Sequence, residues 1–251
     1  MAELVVLGSA ASVPDAAHDT VSLVLHEPGA AILIECGGSP LHKLARLGID
    51  PEEIQAVLLT HRHADHLYGL PMLIQGLWLD GRTEPLPVYG PQQALDLARN
   101  LLDLFGLAER EGMFHLEWHP VPLRTGRRVL EIGDLTITAA PVNHGDNDTL
   151  ALRFENQATR RAIVYSADTE PCPALGTLAG GADLLLHEAT GDLPGHSSAA
   201  QAGELAREAG VEQLVLIHYP VRGVDPERWR RQAAGFPGPV RLARDGDVYP
   251  L

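Results

Sequence analysis

The seven residues Thr60-His61-Arg62-His63-Ala64-Asp65-His66 constrain this 251-residue chain more than any other stretch. Three histidines and an aspartate fall within the six residues from His61 to His66, directly after the apolar run Ala56-Val57-Leu58-Leu59. That run is short and aliphatic, which predicts a buried strand. The polar cluster then stands at the strand's C-terminal end, and residues 67–79 follow as an amphipathic segment. A lone histidine beside an apolar run is usually a structural group with a hydrogen-bond partner. Four imidazole and carboxylate groups packed this closely desolvate one another and compete for protons unless a positive centre holds them. A divalent metal is the simplest such centre, because neutral imidazole and carboxylate are its ordinary ligands.

The same arrangement recurs along the chain. Leu135-Thr136-Ile137-Thr138-Ala139-Ala140 leads to His144, Ala162-Ile163-Val164-Tyr165-Ser166-Ala167 to Asp168, Leu184-Leu185-Leu186 to His187-Glu188, and Leu214-Val215-Leu216-Ile217 to His218. Each of these residues alone reads as an ordinary strand-end turn. Five apolar strands that all finish on His, Asp or Glu place their polar ends along one sheet edge, where sites form in layered α/β folds.

Around these runs, residues 3–7, 21–26 and 31–35 read as an antiparallel meander. Helices are expected from Pro40 to about Leu47, over residues 91–105, and from Ser198, a capping-box residue with Gln201, to Gly210. Asp225 caps a last helix with Pro226 at its first position. Further strands are expected at 113–118, 128–132, 134–140, 149–155 and 161–167, with a final strand pair around Arg241 and Val248. His115 and His119 have no second ligand type at useful spacing and read as structural.

Bulk properties bound the rest. The length supports a sizeable core, and no linker or repeat divides it, so residues 1–251 are expected to form one domain. No apolar run reaches 18 residues, which argues against a membrane span. Residues 1–7 lack a basic leader and read as a first strand. Two cysteines, Cys36 and Cys172, make no disulfide framework and favour the reducing cytoplasm. Net charge is −14, and Lys43 is the single lysine. Such a chain has no general attraction for nucleic acid.

His61-x-His63-x-Asp65-His66, with His144, Asp168 and His218 following in order, resembles the metallo-β-lactamase superfamily. The resemblance implies an α/β fold, an αββα sandwich with the metal site at one edge. It implies two divalent metal ions, zinc first and manganese as the alternative. Residues matching His61, His63 and His144 hold one ion, those matching Asp65, His66 and His218 hold the second, and Asp168 bridges. An aspartate at the bridging place, with no cysteine ligand, resembles the hydrolase branches. Leu7-Gly8-Ser9-Ala10, His187-Glu188-Ala189-Thr190 and Gly195-His196-Ser197-Ser198 are similar to ribonuclease Z. That branch implies catalytic roles for Asp65, Glu188 and His196, with Asp65 orienting the nucleophile and His196, held by Glu188, protonating the leaving oxygen. It also implies a homodimer.

One departure bears on substrate. Only 23 residues separate His144 from Asp168, too few for the long tRNA-gripping arm of that branch. The expected activity is therefore phosphodiester hydrolysis on small molecules or short nucleic acid, by a water activated between two metals. The alternatives are a hydrolase of another ester class, such as an aryl sulfate, lactone or thioester, and a non-enzymatic binding protein on the same fold.

Overall fold

Apolar runs of strand length account for both sheets of the protein. The computed structural model describes residues 2–107, 109–223 and 225–251. The first sheet holds β1 (Glu3–Gly8), β2 (Ser22–Glu27), β3 (Ala30–Ile34), β4 (Ile54–Leu58), β5 (Leu86–Gly90), β6 (Leu116–Pro120) and β14 (Val248–Pro250). Its order is β14-β1-β2-β3-β4-β5-β6. The second holds β7 (Arg127–Ile132), β8 (Leu135–His144), β9 (Asn147–Asn156), β10 (Ala162–Tyr165), β11 (Leu184–Glu188), β12 (Gln213–Ile217) and β13 (Val240–Leu242), ordered β13-β12-β11-β10-β9-β8-β7.

Residues of both sheets share one buried cluster, including Val6, Leu25, Ile34 and Leu58 from the first and Ile137, Phe154, Tyr165 and Val215 from the second. The outer face of the first sheet packs on α1 (Pro40–Leu47), α3 (Leu70–Leu79) and α4 (Gln92–Leu104). The outer face of the second packs on α5 (Pro173–Ala179) and α6 (Ala199–Ala209), and α7 (Pro226–Gln232) runs beside α6. The layers are therefore helix, sheet, sheet, helix. β4 shows why its run carries no polar alternation: Ala56 and Leu58 face the second sheet, while Val57 and Leu59 face the helices.

The topology collects the strand ends. β10, β11, β12 and β13 are mutually parallel. β9 is antiparallel to both β10 and β8, so β8 runs the same way as β10. The C-terminal ends of β8, β10, β11 and β12 thus lie on one edge. The capping box predicted at Ser198 and Gln201 forms, and Asp225 accepts a hydrogen bond from the Glu227 amide at the start of α7.

Two expectations are corrected. The strands around Arg241 and Val248 do not pair: β13 joins β12 in the second sheet and β14 joins β1 in the first. The turn between them crosses the sandwich instead of closing a hairpin. The strand expected at 113–118 lies at Leu116–Pro120, because Phe114 turns into the helix-side core before β6 begins. The amphipathic segment expected at 67–79 is found, carried by two helices. It breaks into α2 (Ala64–Leu67) and α3, and α3 buries Leu70, Leu73, Ile74 and Leu77 while leaving Met72 and Leu79 exposed. No helix among the described residues is long and apolar enough to cross a membrane.

Candidate metal centre

β4 ends at Leu58, and the chain then turns through Thr60 and His61 into the short helix α2, which carries Asp65 and His66. The ends of β8, β10 and β12 deliver His144, Asp168 and His218 to the same place. His61, His63, His144 and Asp168 each offer one ligand atom, all within 4.8 Å of one another. Asp65, His66 and His218 form a second such group. Asp168 lies between them: its Oδ2 is 3.8 Å from His61 Nε2, 3.8 Å from His144 Nε2 and 3.5 Å from His66 Nε2. Its Oδ1 is 3.5 Å from His218 Nδ1. All seven residues named from the sequence as metal ligands are thus brought together.

Outer partners fix the rings. Glu35, fully buried, accepts from His66 Nδ1 at 3.1 Å and from the Thr60 amide at 3.1 Å. The Thr60 hydroxyl also donates to Glu35 and in turn accepts from His61 Nδ1 at 3.1 Å. This leaves Nε2 of both histidines as the inward lone pair. His144 Nδ1 donates to the Gly195 carbonyl at 2.6 Å, which turns His144 Nε2 inward as well, 3.0 Å from His63 Nδ1. Gly195 has no freedom to carry a side chain, since φ is +83° and a Cβ there would stand 3.0 Å from His144 Nδ1.

The inward atoms are orphans. His61 Nε2, His66 Nε2 and Asp168 Oδ1 are buried without a hydrogen-bond partner. Unpaired buried nitrogens and a carboxylate oxygen aimed at one point are strongly unfavourable unless a cation satisfies them. Imidazole and carboxylate donors fit divalent metals, and the donor set suits such ions.

The charges are correspondingly strained. Burial pushes the His61 ring well below its ordinary pKa, and the neighbouring His66 adds to that. Burial acts on His66 in the same sense, but Asp168 and Glu35 outweigh it and hold His66 well above the ordinary value. Burial raises Asp168, yet His218 and His66 overcome it and keep the carboxyl well below the usual range. A bound cation takes the place of such protons.

A second unit borders the cluster. Glu188, fully buried, accepts from the amides of Thr169 at 3.0 Å, Thr190 at 2.9 Å and Ser197 at 3.2 Å. His196 Nδ1 donates to Glu188 Oε1 at 2.9 Å, and the ring is partly open to solvent. Burial lowers the His196 pKa, but the Glu188 hydrogen bond and charge dominate and raise it above 6.5. A cavity of about 320 Å³ opens here, lined by Ser12, His63, Asp65, Asp168, Thr190, His196 and His218 among others. A larger cleft of about 750 Å³ beside α5 and α6 holds no histidine–carboxylate cluster, so chemistry and not volume picks the site.

Glu35, Thr60 and Ser12 were missed from sequence. The strand-end pattern that exposed the other residues reaches Glu35 too, because Ala31-Ile32-Leu33-Ile34 is an apolar strand ending on a carboxylate. Ser12, whose Oγ donates to Asp65 Oδ2 at 2.6 Å, carries no such signal. His115 and His119 stay outside the cluster, and His119 stacks on Tyr89 with ring centroids 4.8 Å apart.

Comparison with known proteins agrees with this geometry. The family described as "Beta-lactamase superfamily domain" matches residues 25–219. The Ribonuclease Z of Methanothermobacter thermautotrophicus is 30% identical over 280 aligned positions, covering 88% of this chain and 88% of that protein. The metallo-beta-lactamase fold protein YhfI from Bacillus subtilis superposes with a TM-score of 0.83 at 26% identity, covering 99% of this chain and 98% of its own. Human tRNase Z, short form, shares the fold with a TM-score of 0.78 at 23% identity, covering 98% of each chain. The chain belongs to the beta-lactamase superfamily, as a ribonuclease Z-like, metal-dependent hydrolase.

Proposed function

We propose that the chain is a cytoplasmic dinuclear phosphodiesterase acting on small phosphodiesters or short nucleic acid. The observation that carries this reading is the pair of ligand groups meeting at Asp168, with the Glu188–His196 unit at the open rim. His61, His63 and His144 would hold one cation, Asp65, His66 and His218 the other, with Asp168 serving both. Zinc suits the nitrogen-rich donors, and manganese is the alternative. Two divalent cations so held would supply Lewis acidity and an activated water at neutral pH.

The chain's own groups do the rest. Asp65 is held by the Ser12 hydroxyl at 2.6 Å and by His218 Nε2 at 3.3 Å, which fixes the carboxylate that orients the nucleophile. Glu188 is locked by three backbone amides and holds the His196 ring through Nδ1. With Nδ1 committed to Glu188, His196 Nε2 is left to protonate the departing oxygen, and its raised pKa keeps the proton available near neutrality.

Substrate size follows from what surrounds the site. A cavity of about 320 Å³ admits a diester and small flanking groups. The alignment with the archaeal Ribonuclease Z spans 280 positions but takes in only 88% of this chain, about 221 residues, so about 59 positions have no counterpart here. Between His144 and Asp168 there is only the tight turn into β9, and then β10. Met72 and Leu79 on α3, Leu104 at the end of α4 and Phe105 just after it are exposed apolar residues that suit a homodimer, whose mass sedimentation would read.

The test is a panel run with zinc and with manganese: a dinucleotide, a nitrophenyl phosphodiester, a nitrophenyl sulfate, a nitrophenyl carboxyl ester and a precursor tRNA. Turnover of the phosphodiesters above all others is expected. Faster hydrolysis of the sulfate or carboxyl ester overturns the reaction class. Precursor tRNA cleaved more efficiently than the dinucleotide overturns the substrate size.

A further inference from the structure

The turn between β13 and β14 inserts a carboxylate beneath the site. Asp245 Oδ1 accepts from the Ser9 amide at 3.0 Å and the Ser9 hydroxyl at 2.8 Å. Its Oδ2 accepts from the Asp19 amide at 2.9 Å and from Lys43, the chain's only lysine. Both partners of this ion pair are largely buried, with side-chain exposures of 16% for Lys43 and 12% for Asp245. One side chain near the C-terminus therefore holds both ends of the 9–20 loop to α1.

That loop leads to one half of the metal centre. The Ser9 carbonyl accepts from the His218 amide at 2.9 Å, and the Ala11 amide donates to the Tyr219 carbonyl at 3.2 Å. The Ala10 amide donates to the Asp19 carbonyl at 2.9 Å and closes the loop's base. The base is tight, since a Cβ on Gly8 would fall 1.9 Å from the Thr20 carbonyl oxygen. Ser12 then reaches Asp65 at 2.6 Å. Among the described residues, none of the loop's hydrogen bonds goes to His61, His63 or His144. Those three answer to Thr60, Asn147 and Gly195.

We propose that Asp245, seated on Lys43, is a positioning residue that clasps the 9–20 loop so that Ser12 and Ser9 set Asp65 and His218 for the second cation. The clasp acts on one half of the site only. It rests on the dinuclear reading above for its consequence, but not for its existence.

Two variants test it: Asp245→Asn, and the double variant Lys43→Met/Asp245→Asn. The second leaves no unpaired lysine in a largely buried place, so it carries the test if the first does not fold. In metal-free protein, hydrogen exchange at the Ala10, Ala11 and His218 amides should rise about tenfold or more as charge-assisted bonds are lost. The Leu150 amide, which donates to the Thr60 carbonyl beside His61, should not change. In a metal titration, one of the two affinities should fall by roughly tenfold or more while the other holds. Unchanged exchange at the three loop amides overturns the clasp. Equal weakening of both cations, with a general loss of thermal stability, overturns its selectivity and makes Asp245 a plain structural residue. A wild-type chain that takes up no second cation sinks the dinuclear reading, and the exchange measurement still judges the clasp.

Discussion

Glu35→Gln offers the sharpest test of how the histidines are held. The carboxylate is fully buried and receives three hydrogen bonds, from the Thr60 amide, the Thr60 hydroxyl and His66 Nδ1. An amide of the same shape keeps one acceptor oxygen, which the Thr60 amide or hydroxyl can use. It cannot supply the charge-assisted bond to His66, and its NH2 group meets the N–H of Thr60 or of His66, a donor against a donor. A hydrogen bond to a charged group contributes about 1.5–3 kcal/mol, which is roughly 10- to 150-fold in an equilibrium constant. Loss of an outer partner of a metal-binding histidine costs about 10- to 100-fold in affinity, so two independent arguments meet at the same range. The effect should be largest at the cation bound by His66 and smaller at the one bound by His61, which reaches Glu35 only through the Thr60 hydroxyl. Competition titration against a chelator of known affinity reads both constants. Two affinities within about twofold of wild type would refute the idea that Glu35 sets the ring nitrogens, against the tenfold minimum just worked out.

The other predictions concern Asp168, His196 and His187. Asp168→Asn should lose much of one or both cations by elemental analysis, because Oδ2 lies against His61 and His144 of one group and Oδ1 against His218 of the other. His196→Ala should slow dinucleotide hydrolysis by roughly 10²–10⁴-fold but hurt a nitrophenolate diester far less, at unchanged metal content, because only the alkoxide needs a proton to leave. Equal losses on both substrates would leave His196 with a supporting role. His187 is fully buried, and burial lowers its pKa from 6.5, partly offset by the Glu188 carbonyl. The fold keeps it neutral while the unfolded chain protonates it, so its contribution is complete above 6.5 and drains away as pH falls through 6.5 towards the lower folded value. The melting temperature of metal-free His187→Leu should therefore fall less between pH 7 and pH 5 than that of wild type.

Much of the centre was readable because its signal is local. His61 to His66 are adjacent in sequence, and the strand-end rule needs only a run of five or six apolar residues followed by a titratable one. Glu35 obeyed that rule and was passed over, since Cys36-Gly37-Gly38-Ser39-Pro40 reads as the start of a turn and helix. Its partners, Thr60 and His66, lie 25 and 31 residues away, a distance at which periodicity says nothing. Asp245 and Ser9 are 236 residues apart. The misreading of Arg241 and Val248 has the same origin. Three-residue strands announce themselves as extended, but which sheet they join is settled by pairing partners elsewhere in the chain.

Register explains why separate strands can build one centre. Tyr165 pairs with Leu186, and Leu186 with Val215. Asp168 lies three residues beyond Tyr165 and His218 three beyond Val215, so both stand at the same height on strands that flank β11. Two strand spacings put their backbones roughly 9–10 Å apart, yet Asp168 Oδ1 reaches within 3.5 Å of the His218 ring. The backbone closes that gap. Ala167, just before Asp168, has φ 51° and His218 has φ 49°. Glu35 has φ 62°, so three of the four left-handed non-glycine residues among those described stand at this one edge. Each such conformation costs about 1–3 kcal/mol and persists only where the surroundings dictate it. Here the hydrogen bonds of Ser9 to His218, Leu58 to Glu35 and Leu186 to Ser166 do so. A one-residue slip of β12 against β11 would turn His218 to the opposite face and leave Asp168 without its partner. The centre is thus specified twice, by register for height and by left-handed residues for direction.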